Sequence, residues 1–193
     1  METNLPAKFR LTRRIFAVID LAGFAKAFQT ETDERMAIFV DAYYAACEQT
    51  IPERGGTIIK FIGDGCLAVF PGENAVEAVQ AIAELETAVV TLSKTYQIPI
   101  ALGANVHMGS AIEGEFGSGS SRQVDIIGRA VNQTFLLGRG SGIRLSEPVY
   151  RALPSGARSP WKKHKPPAVY HADNAVGIYE GGGKDPLSNA LRW

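Results

Sequence analysis

Cysteine is scarce in this chain, two residues among 193, and histidine occurs three times. That scarcity excludes a disulfide-stapled scaffold, which needs several bridges, and a structural zinc site, which needs clustered Cys and His. Cys47 and Cys66 fall in an apolar helical pattern and an apolar strand pattern, so both are expected as small buried hydrophobes in a reducing compartment. Long hydrophobic runs are missing too: none approaches the length that spans a bilayer. Met1 to Arg10 lacks the apolar centre of a secretory signal. A cytoplasmic chain with no membrane segment is therefore expected. Nor is there an excess of charge of one sign, since Lys+Arg and Asp+Glu both number 20. Tracking a nucleic-acid backbone requires a basic surface, so no nucleic-acid partner is expected. A small phosphate ligand needs only local positive charge and stays open.

What is present fits one domain with a sizeable core. Arg14 to Asp20 reads as a buried strand ending on a carboxylate. Met36, Phe39, Val40, Tyr43 and Cys47 recur at helical spacing. Thr57 to Ile62 and Cys66 to Phe70 are strand-like runs around Gly63-Asp64-Gly65, where Asp64-Gly65 is a hairpin signal because a tight turn needs positive φ. Ala75, Val79, Ile82, Leu85, Val89 and Leu92 mark a second long helix. Pro99 to Gly114 and Val124 to Ile127 read as strands around a Gly/Ser-rich loop, and a helical segment follows Gly128. Ser146-Glu147-Pro148 reads as the cap and first turn of a short helix. From Ser155 onward the chain reads mostly as loop, with one late strand at Val176 to Tyr179. Strands and helices interleaved around hairpins imply an α+β fold, a ferredoxin-like or palm-type antiparallel sheet covered by helices. The expected bounds are an N-terminal arm over 1–13, a single domain over 14–182 and a tail over 183–193.

Asp20 ends a buried strand and Asp64 sits in a tight turn. If that strand pairs with the hairpin, both carboxylates emerge at one end of the sheet. Two such groups side by side repel unless a cation lies between them, and hard oxygen donors suit Mg²⁺ or Mn²⁺. The alternative reading is that Asp20 merely terminates a strand and Asp64 merely fills a turn.

Five stretches in fixed order carry a resemblance. Asp20-Leu21-Ala22-Gly23-Phe24, Lys60 to Phe70, Val106-His107-Met108-Gly109 with Gly114, Val124 to Asn132, and Ser146-Glu147-Pro148-Val149-Tyr150 are similar to the motifs of class III adenylate and guanylate cyclases. They span about residues 14 to 153. The resemblance implies a homodimer with two Mg²⁺ or Mn²⁺ ions per site and ATP as substrate. It implies that Asp20, Asp64 and the main-chain carbonyl of Leu21 hold the metals, and that amides around Gly23, Phe24 and Ala25 meet the triphosphate. Lys60 would donate to adenine N1 and Asp125 would accept from the exocyclic amine, a pattern that guanine inverts. Asn132 would orient the ribose or the α-phosphate. The metal acids would come from one protomer, and Lys60, Asp125 and Asn132 from its partner.

Two positions depart from the pattern. The arginine expected one helical turn after Asn132 is Leu136 here; Arg139 lies seven residues on, one turn too far unless the helix unwinds at Gly138. The late phosphate-binding lysine falls on Tyr170 or His171, with Lys162, Lys163 and Lys165 as upstream substitutes or as solvated loop charges. A cyclase with a rearranged phosphate clamp is the leading expectation. A nucleotide-binding or dimerisation domain without turnover is the alternative, favoured by Leu136. A diguanylate cyclase lacks its Gly-Gly-Asp/Glu-Glu-Phe signature here, and small size and neutral charge disfavour a polymerase palm.

Overall fold

Alternation along β1 (Phe9–Ala22) sorts its side chains onto two faces, because successive residues of a strand point to opposite sides. In the computed structural model, which describes residues 5–164 and 169–172, Ile15, Ala17, Ile19 and Leu21 turn to the main core, while Phe16 and Val18 turn to a second, smaller apolar cluster. Asp20 falls on the face of Phe16 and Val18. β1 begins inside the stretch expected as an N-terminal arm, because residues 9–13 pair with Ser110–Gly114.

The main core is roofed by α2 (Asp33–Glu53) and α3 (Ala75–Tyr96), whose buried residues Met36, Phe39, Tyr43, Cys47 and Ile51, and Ala78, Ile82, Leu85 and Val89, repeat at three- and four-residue intervals. That repeat brings one stripe of each helix onto the sheet. Thr32 caps α2, its hydroxyl accepting from the Arg35 N–H at 3.3 Å. A one-turn helix, α1 (Phe24–Ala27), precedes it. Both cysteines are buried and free, as their apolar surroundings predict.

The sheet runs β2 (Thr57–Ile62), β3 (Gly65–Pro71), β1, β4 (Ala101–Phe116), β6 (Gly142–Ser146), β8 (Val169–Ala172) and β7 (Trp161–Lys163), with β5 (Gln123–Ile127) paired to the second half of β4. Pairing is antiparallel except between β4 and β6, which run parallel. β7 and β8 fall where the sequence reads mostly as loop. The late strand expected at Val176 to Tyr179, and the boundary at 182, lie outside the described residues. The remaining helices are α4 (Arg129–Phe135) and α5 (Glu147–Ala152), the latter starting after Ser146 with Pro148 in its first turn, as expected. Among the described residues no helix is long and apolar enough to cross a membrane.

Two local features aim the site residues. The β2–β3 hairpin closes on Gly63-Asp64, with Ile62 opposite Gly65 and positive φ at Gly63 (59°), not at Gly65. The turn is therefore one residue earlier than the Asp64-Gly65 reading; glycine in the first central position is what a II′-type turn demands. A register shift between Ile58 and Lys60 is the second feature. Ile58 and Phe61 both pack on the main core, whereas Ile59 packs on the second cluster. The bulge thus lets Lys60 share the face of Ile59, the face that also carries Asp20.

Candidate active site

Asp20 and Asp64 come together at the end of β1 and the β2–β3 turn. The ladder sets Ile19 opposite Cys66, one residue from Asp20 and two from Asp64. The Asp64 carboxyl is pushed up to about 6, first by burial, then by the negative charge and hydrogen bonding of Asp20. Backbone N–H groups of Asp64 and Leu21 offset part of that shift. The turn is tethered to α2: the Tyr44 hydroxyl donates to the Gly63 carbonyl, and its ring stacks on Phe61 with centroids 3.8 Å apart.

The chemistry of this donor set fits a divalent cation. Two adjacent carboxylates, one of them pushed up by burial and by the other's charge, are relieved by a shared positive charge, and carboxylate plus main-chain oxygen is the ligand type of Mg²⁺ and Mn²⁺. Among the described residues no group of three or more His, Cys, Asp or Glu forms a closed metal cage. The pair alone supplies only part of a coordination shell among the described residues.

Lys60 and Asp125 meet although three strands separate their elements in the pairing order β2-β3-β1-β4-β5. The sheet curls about the second cluster, formed by Phe16, Leu67, Val69, Ala111 and Ile126, so that β5 reaches β2. Lys60 Nζ donates to Asp125 Oδ2 at 2.6 Å, and the Ile126 N–H donates to Oδ1 at 2.8 Å. Asp125 is only 8% exposed, so its charge depends on these donors. Beside it a cavity of about 470 Å³ opens between Arg10, Arg14, Val69, Glu113 and Val124.

The other expected residues are placed as follows. Gly23 takes φ 93°, and its carbonyl accepts from the Ala27 N–H at 2.9 Å; Phe24 and Ala25 form the one turn of α1. Asn132 lies exposed on α4, whose Ala130, Val131 and Thr134 are buried. α4 ends at Phe135, so the chain leaves the helix before Gly138 and Arg139 shares no helical face with Asn132. Leu136 is 78% exposed. Arg139 is exposed, and its guanidinium has no hydrogen bond or ion pair among the described residues. Lys162 and Lys163 lie on β7, at the opposite edge of the sheet from β2; Lys165 lies outside the described residues. Sequence reasoning missed Tyr44 and Arg144. The signal for Arg144 was legible, a lone charge between Ile143 and Leu145 in an apolar strand.

The sheet with its covering helices has the fold of class III nucleotide cyclase catalytic domains. The chain is 27% identical over 192 residues to an adenylate cyclase of Anabaena cylindrica, an alignment covering 92% of this chain and 38% of that protein. This chain thus spans well under half the length of that relative. A bacterial light-regulated adenylyl cyclase superposes with a TM-score of 0.76 at 21% identity, over 92% of this chain and 56% of that one. The guanylyl cyclase Cya2 superposes with a TM-score of 0.73 at 20% identity, over 90% and 96%. No family model matches the chain.

Proposed function

We propose that this domain converts ATP to 3′,5′-cyclic AMP and pyrophosphate at composite sites of a homodimer. The observation that carries the reading is that Lys60, on the Asp20 face of the sheet, donates to Asp125 while Asp20 and Asp64 stand against one another. Asp20, Asp64 and the Leu21 carbonyl would hold two Mg²⁺ or Mn²⁺ ions, which supply Lewis-acid activation of the ribose 3′ oxygen and charge for the leaving pyrophosphate. The protein's own groups do the rest. Lys60 donates to adenine N1 and Asp125 accepts from the exocyclic amine; the 2.6 Å bond between them holds both in place before the base arrives. Asn132, exposed on α4, orients the ribose or α-phosphate of the partner's site, and backbone amides at Gly23, Phe24 and Ala25 meet the triphosphate.

A homodimer follows from chemistry, because one chain carries both residue sets and a twofold axis would bring each set against the other's complement. The exposed apolar side chains of Phe135 and Leu136 on the α4 side suit such an interface. Leu136 also supports a second reading, a domain that binds ATP without turnover, since one preorganised donor to transition-state charge is worth about 2.7–4 kcal/mol.

The deciding experiment incubates purified protein with Mn²⁺ and ATP and identifies the product by chromatography. Cyclic AMP formation that vanishes in Asp20→Ala and Asp64→Ala supports the cyclase. ATP binding with no product under Mg²⁺ or Mn²⁺ would replace it with the second reading.

A further inference from the structure

Arg144 is a buried cation held by main-chain carbonyls. It sits in β6 at 6% exposure, and among the described residues no carboxylate pairs with it. Its guanidinium instead collects main-chain carbonyls of one short loop: Nη1 donates to Gly140 at 3.0 Å and Gly142 at 3.3 Å, and Nη2 donates to Ser141 at 2.9 Å and to Arg139. Burial pushes this group below the ordinary arginine value. Neutral carbonyls satisfy the N–H groups but leave the positive charge in place, and an unpaired buried charge is costly. An anion close by would lower that cost.

The same contacts set the direction of the loop's other dipoles. In a trans peptide the C=O and the following N–H point opposite ways. Carbonyls of Arg139 and Gly140 turned inward therefore send the N–H groups of Gly140 and Ser141 outward. Both residues are exposed, and neither N–H has a backbone acceptor among the described residues. Glycines at 140 (φ 81°) and 142 (φ 89°) make this backbone possible. The loop is anchored on the sheet side as well, where Asn105 Nδ2 donates to the Gly138 carbonyl at 2.9 Å. Successive outward N–H groups form a concavity that takes anions.

Its position is specific. The Gly140 carbonyl lies 2.3 Å from where a Cβ on Gly103 would stand, and Gly103 is the ladder partner of Asp20. Paired residues on neighbouring strands point to the same face, so the loop crosses β4 on the face of Asp20, one strand away from it. Arg139 adds an exposed cation at the same place.

We infer that loop 139–142 binds the polyphosphate of a nucleoside triphosphate, through the N–H groups of Gly140 and Ser141 and the side chain of Arg139, with Arg144 as the positioning residue behind it. The identity of the anion rests on the nucleotide reading given above; the loop's affinity for polyphosphate does not.

Inorganic pyrophosphate is the probe, titrated by calorimetry into the full chain in metal-free buffer. Arg139→Glu and Ser141→Pro are expected to weaken binding at least 10-fold with melting temperature near the wild type, whereas Asp20→Asn binds as tightly or more tightly. Arg144→Lys keeps the charge but loses the fork, and should weaken pyrophosphate in proportion. The Arg139 guanidinium makes no hydrogen bond or ion pair among the described residues, so its variant stays informative if the proline or lysine variant is unstable. Unchanged affinity in Arg139→Glu and in every folded loop variant, or no binding by the wild type, overturns the inference. Cyclic AMP assays on the same preparations separate the two ideas. Product from a wild type whose pyrophosphate affinity ignores the loop sinks the loop alone; loop-dependent binding without product sinks the cyclase alone.

Discussion

Lys60 Nζ stands 2.6 Å from Asp125 Oδ2 across a sheet curled enough to bring β2 against β5. The lysine is a donor and the carboxylate an acceptor, and each is held by the other and, for Asp125, by the Ile126 amide. Adenine presents the complementary acceptor and donor; guanine presents a donor at N1 and a carbonyl at position 6.

Base preference should therefore follow this pair. Lys60→Glu combined with Asp125→Asn is expected to raise the ratio of kcat/KM for GTP over ATP by about 10²-fold or more, the scale on which unmatched buried polar groups discriminate. Steady-state kinetics with both nucleotides check it, and an unchanged preference for ATP would remove the pair from base recognition.

The Asp20–Asp64 pair predicts a stability that depends on pH and metal. Asp64 titrates at about 6 in the fold, above its ordinary value, so the fold binds its proton more tightly than the unfolded chain does. The stability tied to that proton is full below about pH 4 and is lost as pH rises through about 6. Asp64→Asn should raise the melting temperature of the metal-free protein at pH 7 and leave it near wild type at pH 4. Mn²⁺ should stabilise the wild type more at pH 7 than at pH 5, and Asp64→Asn little at either.

Glu113 predicts the opposite slope. Its carboxylate accepts from Arg14 Nε at 2.7 Å and from Arg10 at 3.0 Å, and the Arg14 hydrogen bond, opposed by burial, holds it below the ordinary glutamate value. This contribution is present above about pH 4.5 and is lost as pH falls through the lower folded value. Glu113→Gln should cost about 1–2 kcal/mol at pH 7, a charge-assisted bond's worth in a partly buried setting. Urea melts at pH 7 and pH 3 should show the difference shrinking in acid.

Gly103→Ala tests how closely the 139–142 loop lies on β4. Its new Cβ would meet the Gly140 carbonyl at 2.3 Å, a backbone atom that cannot swing aside. Overpacking of this kind costs about 1–3 kcal/mol. Chemical denaturation should register that loss, and pyrophosphate affinity should fall with it; Gly119→Ala, where a Cβ meets nothing within 4 Å, is the control.

Period and punctuation made much of this fold legible. Alternation in Arg14 to Asp20, helical spacing from Met36 to Cys47, and the glycine-marked hairpin around Asp64 each report a local preference that survives into the structure. The motifs that carry the carboxylates, lysine and asparagine were legible for another reason, since their order is one-dimensional. What the linear chain determined was which residue types were available and on which elements. The tertiary structure decided which of them meet. The bulge at Ile58/Lys60 chose the face that Lys60 occupies, the curl of the sheet brought Asp125 to it, and the early end of α4 took Arg139 off the face of Asn132. Short strands β7 and β8 escaped notice because three or four residues carry too little pattern to outweigh proline and lysine around them. Arg144 escaped because its role lies in carbonyls that only the folded loop turns toward it: hydrogen-bond direction is a property of backbone geometry, and side-chain identity does not encode it.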